Sequence, residues 1–133
     1  MLVVMRRFWI QKGSFDEFER LSREEIWPSI EAAGARILGM FRAEEPHPND
    51  EVTEPCDMVI LLTQYTDRDH WHATRARQDT WRGPDDVRNR LATGGRARHE
   101  LTLATHPTFT EPVHVKIGGP FFTWKDEPMG KVE

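Results

Sequence analysis

Leu2 to Gln11 alternates so that both of its sides are mostly apolar. Leu2, Val4, Phe8 and Ile10 share one side with Arg6, and Val3, Met5 and Trp9 share the other with Arg7 and Gln11. A strand with one wet face would alternate cleanly between apolar and polar residues. This one is therefore expected to be covered on both faces, with at least one of its arginines meeting a partner or a cavity. Lys12-Gly13 turns the chain, and from Ser14 the period changes. At about 100° per residue, Phe15, Phe18, Leu21, Ile26, Ile30 and Ala33 gather on one side of a helix, with Asp16, Glu17, Arg20, Arg23, Glu24 and Glu31 opposite. Ser14 followed by Glu17 reads as a capping box, worth about 1 kcal/mol at Ser14. Gly34 suits the position just past the helix end. Pro28 lies inside the run and cannot donate to the Glu24 carbonyl, so a kink is expected there.

Ser22, Glu25 and Ser29 fall on the apolar side of this helix. An ionised carboxylate facing a sheet needs a cation or water. Either Glu25 pairs with an arginine, Arg6 first, or the kink rotates it to the helix edge. Ala35 to Arg42 and Met58 to Tyr65 read as the next two strands, joined by an acidic loop over residues 44–57 with three prolines. Asp67 caps a second helix carrying His70, Trp71 and Thr74. Gly83-Pro84-Asp85-Asp86 opens a third, with proline at its first position and Gly94-Gly95 closing it. A last strand is expected near His99 to His106. The order is βαββαβ, the ferredoxin-like α+β unit, whose four-stranded sheet carries helices on one face and leaves the other for a second copy.

From Pro107 the composition changes. Pro107, Pro112, Pro120 and Pro128 punctuate a segment that also holds Phe109, Phe121, Phe122 and Trp124. So many large aromatics argue for an extended arm packed on this body or a partner's rather than for a disordered tail. The division is a domain over residues 1–106 and an arm over 107–133.

With 133 residues the chain has the size of one domain. Its charged fraction of 30% exceeds the usual value of about 25%, and a mean hydropathy of -0.66 is low. A formal charge of -4 creates no field for a polyanion. The eight arginines from Arg68 to Arg98 are interspersed with Asp67, Asp69, Asp79, Asp85 and Asp86, a solvated mixed-charge face and not a nucleic-acid surface. One cysteine, Cys56, allows no internal disulfide and suits a reducing compartment. The apolar start is too short for a signal segment and no stretch approaches a membrane span, so a cytoplasmic location is expected.

Chemical motifs are few. His70 and His72 are two apart on an expected helix and point to different sides, which is poor chelate geometry, and no metal or other cofactor is expected. Phosphate-binding, nucleophile-elbow and zincin motifs are missing. What remains is a candidate cavity whose walls would come from Arg6, Glu25, Trp27, Phe41, Tyr65 and His70, with Arg7 and Trp9 as further candidates. Aromatic walls with a few convergent polar groups suit a small ligand; the same aromatics could also simply fill a core.

The segments Met5-Arg6-Arg7-Phe8 with Gln11-Lys12-Gly13, Phe15-Asp16-Glu17-Phe18, Glu25-Ile26-Trp27-Pro28, Gly34-Ala35-Arg36-Ile37-Leu38-Gly39 and Leu62-Thr63-Gln64-Tyr65 follow one another in a consistent order within residues 3–106. In this they resemble the NIPSNAP family of the dimeric α/β-barrel superfamily. The resemblance implies a homodimeric ferredoxin-like barrel and draws attention to Arg6, Glu25, Pro28 and Tyr65. It brings no agreed catalytic residues. The 44–57 loop and the 107–133 arm depart from the compact family pattern. Three functions follow as expectations: a homodimer with a small-molecule cavity, a non-enzymatic protein-interaction module, or a cofactor-independent oxygenase or isomerase of the kind found among related barrels. Haem binding through a histidine is the weakest, since no histidine lies clearly on an apolar strand face.

Overall fold

The computed structural model describes residues 1–114. Four antiparallel strands form one sheet in the order β2-β3-β1-β4. They are β1 (Leu2–Gln11), β2 (Arg36–Arg42), β3 (Cys56–Tyr65) and β4 (Thr102–Thr110). The helices α1 (Phe15–Leu21) and α2 (Trp27–Ala32), joined by a π-helical segment at Ser22–Ile26, precede β2; α3 (Arg68–Ala73) and α4 (Asp85–Glu100) precede β4. This is the ferredoxin-like α+β arrangement. The long, β-branched and aromatic β1 takes a central place, pairing with β3 from Leu2↔Tyr65 to Gln11↔Cys56 and with β4 on its other side.

The helix-facing side of β1 supplies Val4, Phe8 and Ile10 to the main core, where they meet Phe18, Ile26, Ile30, Val59, Leu61, Tyr65 and Leu91. The outer side is covered toward both ends of β1: Val3 and its β3 partner Gln64 are buried at one end, and Trp9 at the other. There the 44–57 loop roofs Trp9, whose indole N–H donates to the His47 carbonyl at 2.7 Å, and Trp9 packs with Met58, Ala104 and Val52. Between these, Met5 and Phe41 stay exposed at 37% and 53%.

Several local expectations need correction. Ser14 makes no side-chain cap. Its hydroxyl donates to the Gln11 carbonyl at 2.6 Å within the Gly13 turn, and Glu17 pairs with Arg20 instead. The helix does not kink at Pro28 alone, because the π segment takes up one extra residue and α2 restarts with Pro28 in its first turn, where no N–H partner is lost. Gly94-Gly95 does not end a helix, for α4 runs through to Glu100. A Cβ on Gly94 would lie 2.7 Å from the Glu25 Cβ, so the glycine is there for close helix packing. Pro84 is the cap of α4 and not its first residue. The last strand begins and ends later than the alternation suggests, which places Pro107 and Phe109 inside β4. As an edge strand β4 tolerates the missing N–H of Pro107. The remaining aromatics expected in the arm, Phe121, Phe122 and Trp124, lie outside the described residues.

Other signals have the physical outcome they imply. Gly34 adopts φ 94 past the end of α2, with Ala35 N–H donating to the Ile30 carbonyl and Gly34 N–H to Glu31, a Schellman ending. Asp67 caps α3 by accepting from the His70 N–H at 2.8 Å. Among the described residues no helix is long and apolar enough to cross a membrane.

Candidate functional site

A cavity of about 340 Å³ lies between the inner face of the sheet and the helices. Its apolar walls include Val4, Phe8, Ile26, Trp27, Ile30, Leu61, Trp71 and Leu91, and the exposed residues Arg77, His99 and Pro107 on its lining mark where it opens to solvent. Each element contributes for a local reason. Inward positions of β1 and β3 alternate Val4, Arg6, Phe8 and Leu61, Thr63, Tyr65 onto one face. On α4, Leu91, Gly95 and Arg98 follow the i, i+4, i+7 spacing of one helical stripe. The irregular stretch between α3 and α4 brings in Thr74, Arg75, Ala76 and Gln78; Arg88 holds it by donating to the carbonyls of Ala76 at 2.7 Å and Gln78 at 3.3 Å.

Three arginines converge on this space, and their partners are neutral. Arg6 Nε donates to Thr105 Oγ1 at 3.1 Å, and that hydroxyl donates to the Arg7 carbonyl at 2.9 Å. Arg98 Nη1 donates to Ser22 Oγ at 3.0 Å, the serine in turn donating to the Phe18 carbonyl. Arg75 Nη2 donates to Tyr65 Oη at 2.9 Å and to Thr74 Oγ1 at 3.2 Å. Aromatic faces complete the enclosure: the Arg6 and Arg98 guanidinium carbons lie 5.2 and 4.8 Å from the Phe8 ring centre, and that of Arg75 lies 4.7 Å from Trp71. Among the described residues none of the three arginines has a carboxylate within 4 Å, and no Asp or Glu lines the cavity.

The electrostatics follow. Burial pushes the Arg6 pKa down to about 10, with the charge of Arg75 adding to it. Burial also pushes Arg98 down to about 9, helped by the charges of Arg6 and Arg75. A guanidinium still holds its proton at neutral pH, so these depressions register buried cations lacking a counter-charge. Two donors on the wall also lack a partner among the described residues: Arg75 Nε and the indole N–H of Trp27 are both buried and unbonded.

No protein-family model and no curated protein matches the chain. Solved structures do. An uncharacterised NIPSNAP domain protein from Burkholderia xenovorans superposes with a TM-score of 0.60 at 20% identity, covering 90% of this chain and 99% of that one. A NIPSNAP family protein of unknown function from Agrobacterium tumefaciens gives 0.63 at 13% identity over 88% and 92%. A NIPSNAP-like domain protein from B. xenovorans gives 0.58 at 16% identity over 96% and 92%. The chain has the NIPSNAP fold. At these identities the likeness is one of architecture.

Within this NIPSNAP fold the residues singled out from sequence separate into two groups. Arg6, Trp27 and Tyr65 lie on the cavity wall. Glu25, Phe41 and His70 do not. Glu25 is half-buried against Gly94 and makes no ion pair with Arg6 or with any other described arginine. The π segment and the α4 backbone set its position, and the wheel built on a regular α-helix misplaces it. Phe41 belongs to the outer face, opposite Ile60 of β3. His70 is a structural tie: Nδ1 accepts from the Thr66 N–H at 3.0 Å, which leaves Nε2 to donate to the Ala33 carbonyl at 2.8 Å. Arg7 and Trp9 are on the outer face, Trp9 under the loop and Arg7 over the Trp9 ring. Arg75, Arg98, Trp71 and Leu91 are cavity residues that the sequence reading missed. Reading Gly94-Gly95 as a close-packing pair, not a stop, would have carried α4 on to Arg98 in line with Leu91. No periodicity marks Arg75, which sits outside any regular element.

Proposed function

We propose that this protein is a homodimer that binds a small molecule in the cavity between sheet and helices. The observation that carries the binding reading is the cavity itself, with two indoles and aliphatic side chains on its walls and several donors converging on it. Its size is at the lower end of the range for ligand sites, about 300–1,000 Å³. The dimer reading is supported by the outer face of the sheet, where Met5 and Phe41 stay exposed beside Leu62 and Ile60. A second copy covering that set would leave both cavities on the outside of the pair. The lone Cys56 suits a reducing cytoplasm.

Gly95 offers a direct test. It lines the cavity, and a Cβ there would meet nothing within 4 Å. Gly95→Leu should fill the space while improving helix propensity by roughly 1 kcal/mol. A fragment screen by thermal shift should give binders to the native chain that Gly95→Leu no longer takes. Binders indifferent to this substitution, or none at all, would refute the cavity reading. Sedimentation at micromolar concentration should show a dimer; a stable monomer would refute the pairing.

A further inference from the structure

We infer that the ligand of this cavity is a small organic oxyanion, its carboxylate or phosphate head held among Arg6, Arg75 and Arg98 and its apolar body lying against Trp27, Trp71 and Leu91. This rests on the small-molecule reading above and adds the chemical class. The geometry is one-sided in charge. Arg6, Arg75, Arg77 and Arg98 all line the cavity, and among the described residues no carboxylate does. Desolvating a cation is unfavourable unless an opposite charge or a full set of acceptors compensates it. Among the described residues, each of the three inner guanidiniums has only hydroxyl acceptors and ring faces. The two buried orphan groups on the wall are both donors, Arg75 Nε and Trp27 Nε1. A ligand that satisfies this site must bring acceptors, and the most effective acceptor for a fork of guanidinium N–H groups is an oxyanion.

The supports of the arginines point the same way. Thr105 and Ser22 each accept from an arginine while passing their own hydroxyl proton to a backbone carbonyl. They fix one edge of each guanidinium and leave other N–H groups of it free of any such bond. The apolar walls argue that the anion has a body. Inorganic phosphate alone would leave Trp71, Leu91 and Ile30 facing empty space.

The test uses four probes on the full chain, read by titration calorimetry: naphthoate, naphthyl phosphate, naphthalenemethanol and inorganic phosphate. At least one of the two aromatic anions should bind about tenfold or more tightly than the neutral alcohol, the gain of a charge-assisted contact. Arg98→Met and Arg6→Met, each checked for an intact melting transition, should remove that preference. Gly95→Leu should abolish binding of every aromatic probe. Whichever aromatic anion binds better identifies the head group. Equal binding of alcohol and anions, with Gly95→Leu still blocking both, would overturn the anion class and leave the small-molecule cavity standing. Binding that survives Gly95→Leu would remove both readings. Inorganic phosphate binding as tightly as naphthyl phosphate would overturn the apolar body, and no binding by any of the four would overturn the oxyanion class.

Discussion

On the helix side of β1, Arg6 looks into a cavity and, among the described residues, has only a threonine hydroxyl and a phenyl face for company; on the outer side, one residue further, Arg7 lies over the ring of Trp9. Both faces begin with the same alternation of apolar residues interrupted by a single arginine. On the inner face, burial is nearly complete around Phe8 and Ile10, yet a hole with unneutralised charge is kept at one place. The outer face is filled around Trp9 and again at Val3 and Gln64, and bare between them at Met5. Unfilled space and uncompensated charge both oppose folding, so a fold that retains them together at one spot has a reason other than stability there. The bare outer patch is apolar at Met5 and Phe41, with Arg7 set beside Ile60.

The comparison can be broken in order of effect. Phe8→Ala should remove about 3–5 kcal/mol of stability, the usual loss for a buried ring, whereas Met5→Ala should stay within about 0.5 kcal/mol in a denaturant melt of the monomer. Similar losses at the two positions would mean that the outer face is as buried as the inner. Arg98→Met should stabilise the chain by about 1–4 kcal/mol at neutral pH, because it removes a buried, uncompensated cation. The sign follows from linkage. Burial lowers Arg98 to about 9 in the folded chain, so from there up to the ordinary guanidinium range the unfolded chain holds more protons. The advantage of the methionine is therefore complete below about pH 9 and shrinks above it. Thermal melts at neutral and alkaline pH would show this, and a destabilised variant at neutral pH would mean that the cation has a counter-charge.

The adjacent glycines of α4 supply a finer contrast. Gly94→Ala should cost about 1–3 kcal/mol through overpacking against Glu25, and Gly95→Ala should gain up to about 1 kcal/mol from helix propensity. Chemical denaturation of the pair would decide, and effects of the same sign would contradict the packing described. The smallest change is expected at Ser14, where alanine should alter stability by less than about 0.5 kcal/mol because the hydroxyl serves a turn and not a helix cap.

Where the sequence was legible, one physical pattern dominated a whole element. The strand order followed from alternation and turn residues, and Gly34 and Asp67 announced helix ends through chemistry confined to a few neighbours. It was less legible wherever a long-range neighbour decided the outcome. Gly94-Gly95 has the composition of a stop, but Glu25 and Ile26 on another helix set its use. Glu25 was misassigned because the wheel assumes a uniform turn, and the chain winds differently at Ser22–Ile26. The cavity was half visible, through Arg6, Trp27 and Tyr65 on or beside regular strands and helices. Arg75 lies in a stretch held by Arg88 and backbone carbonyls, and nothing local forecasts such a placement.

The π segment also bears on how this chain tolerates changes of length. It holds one residue more than an α-helix would wind over the same rise, so the two flanking helical turns are out of phase by about 100° relative to a continuous α-helix. Deleting a single residue between Ser22 and Ile26 would let the backbone close into a regular helix and rotate α1 by that angle against α2. Phe18 and Leu21 would then leave the core while Ile26 and Ile30 stayed, or the reverse. A one-residue deletion in the exposed 44–57 loop has no such phase to disturb. Length variation among proteins sharing this architecture should therefore collect in that loop and spare the first helix.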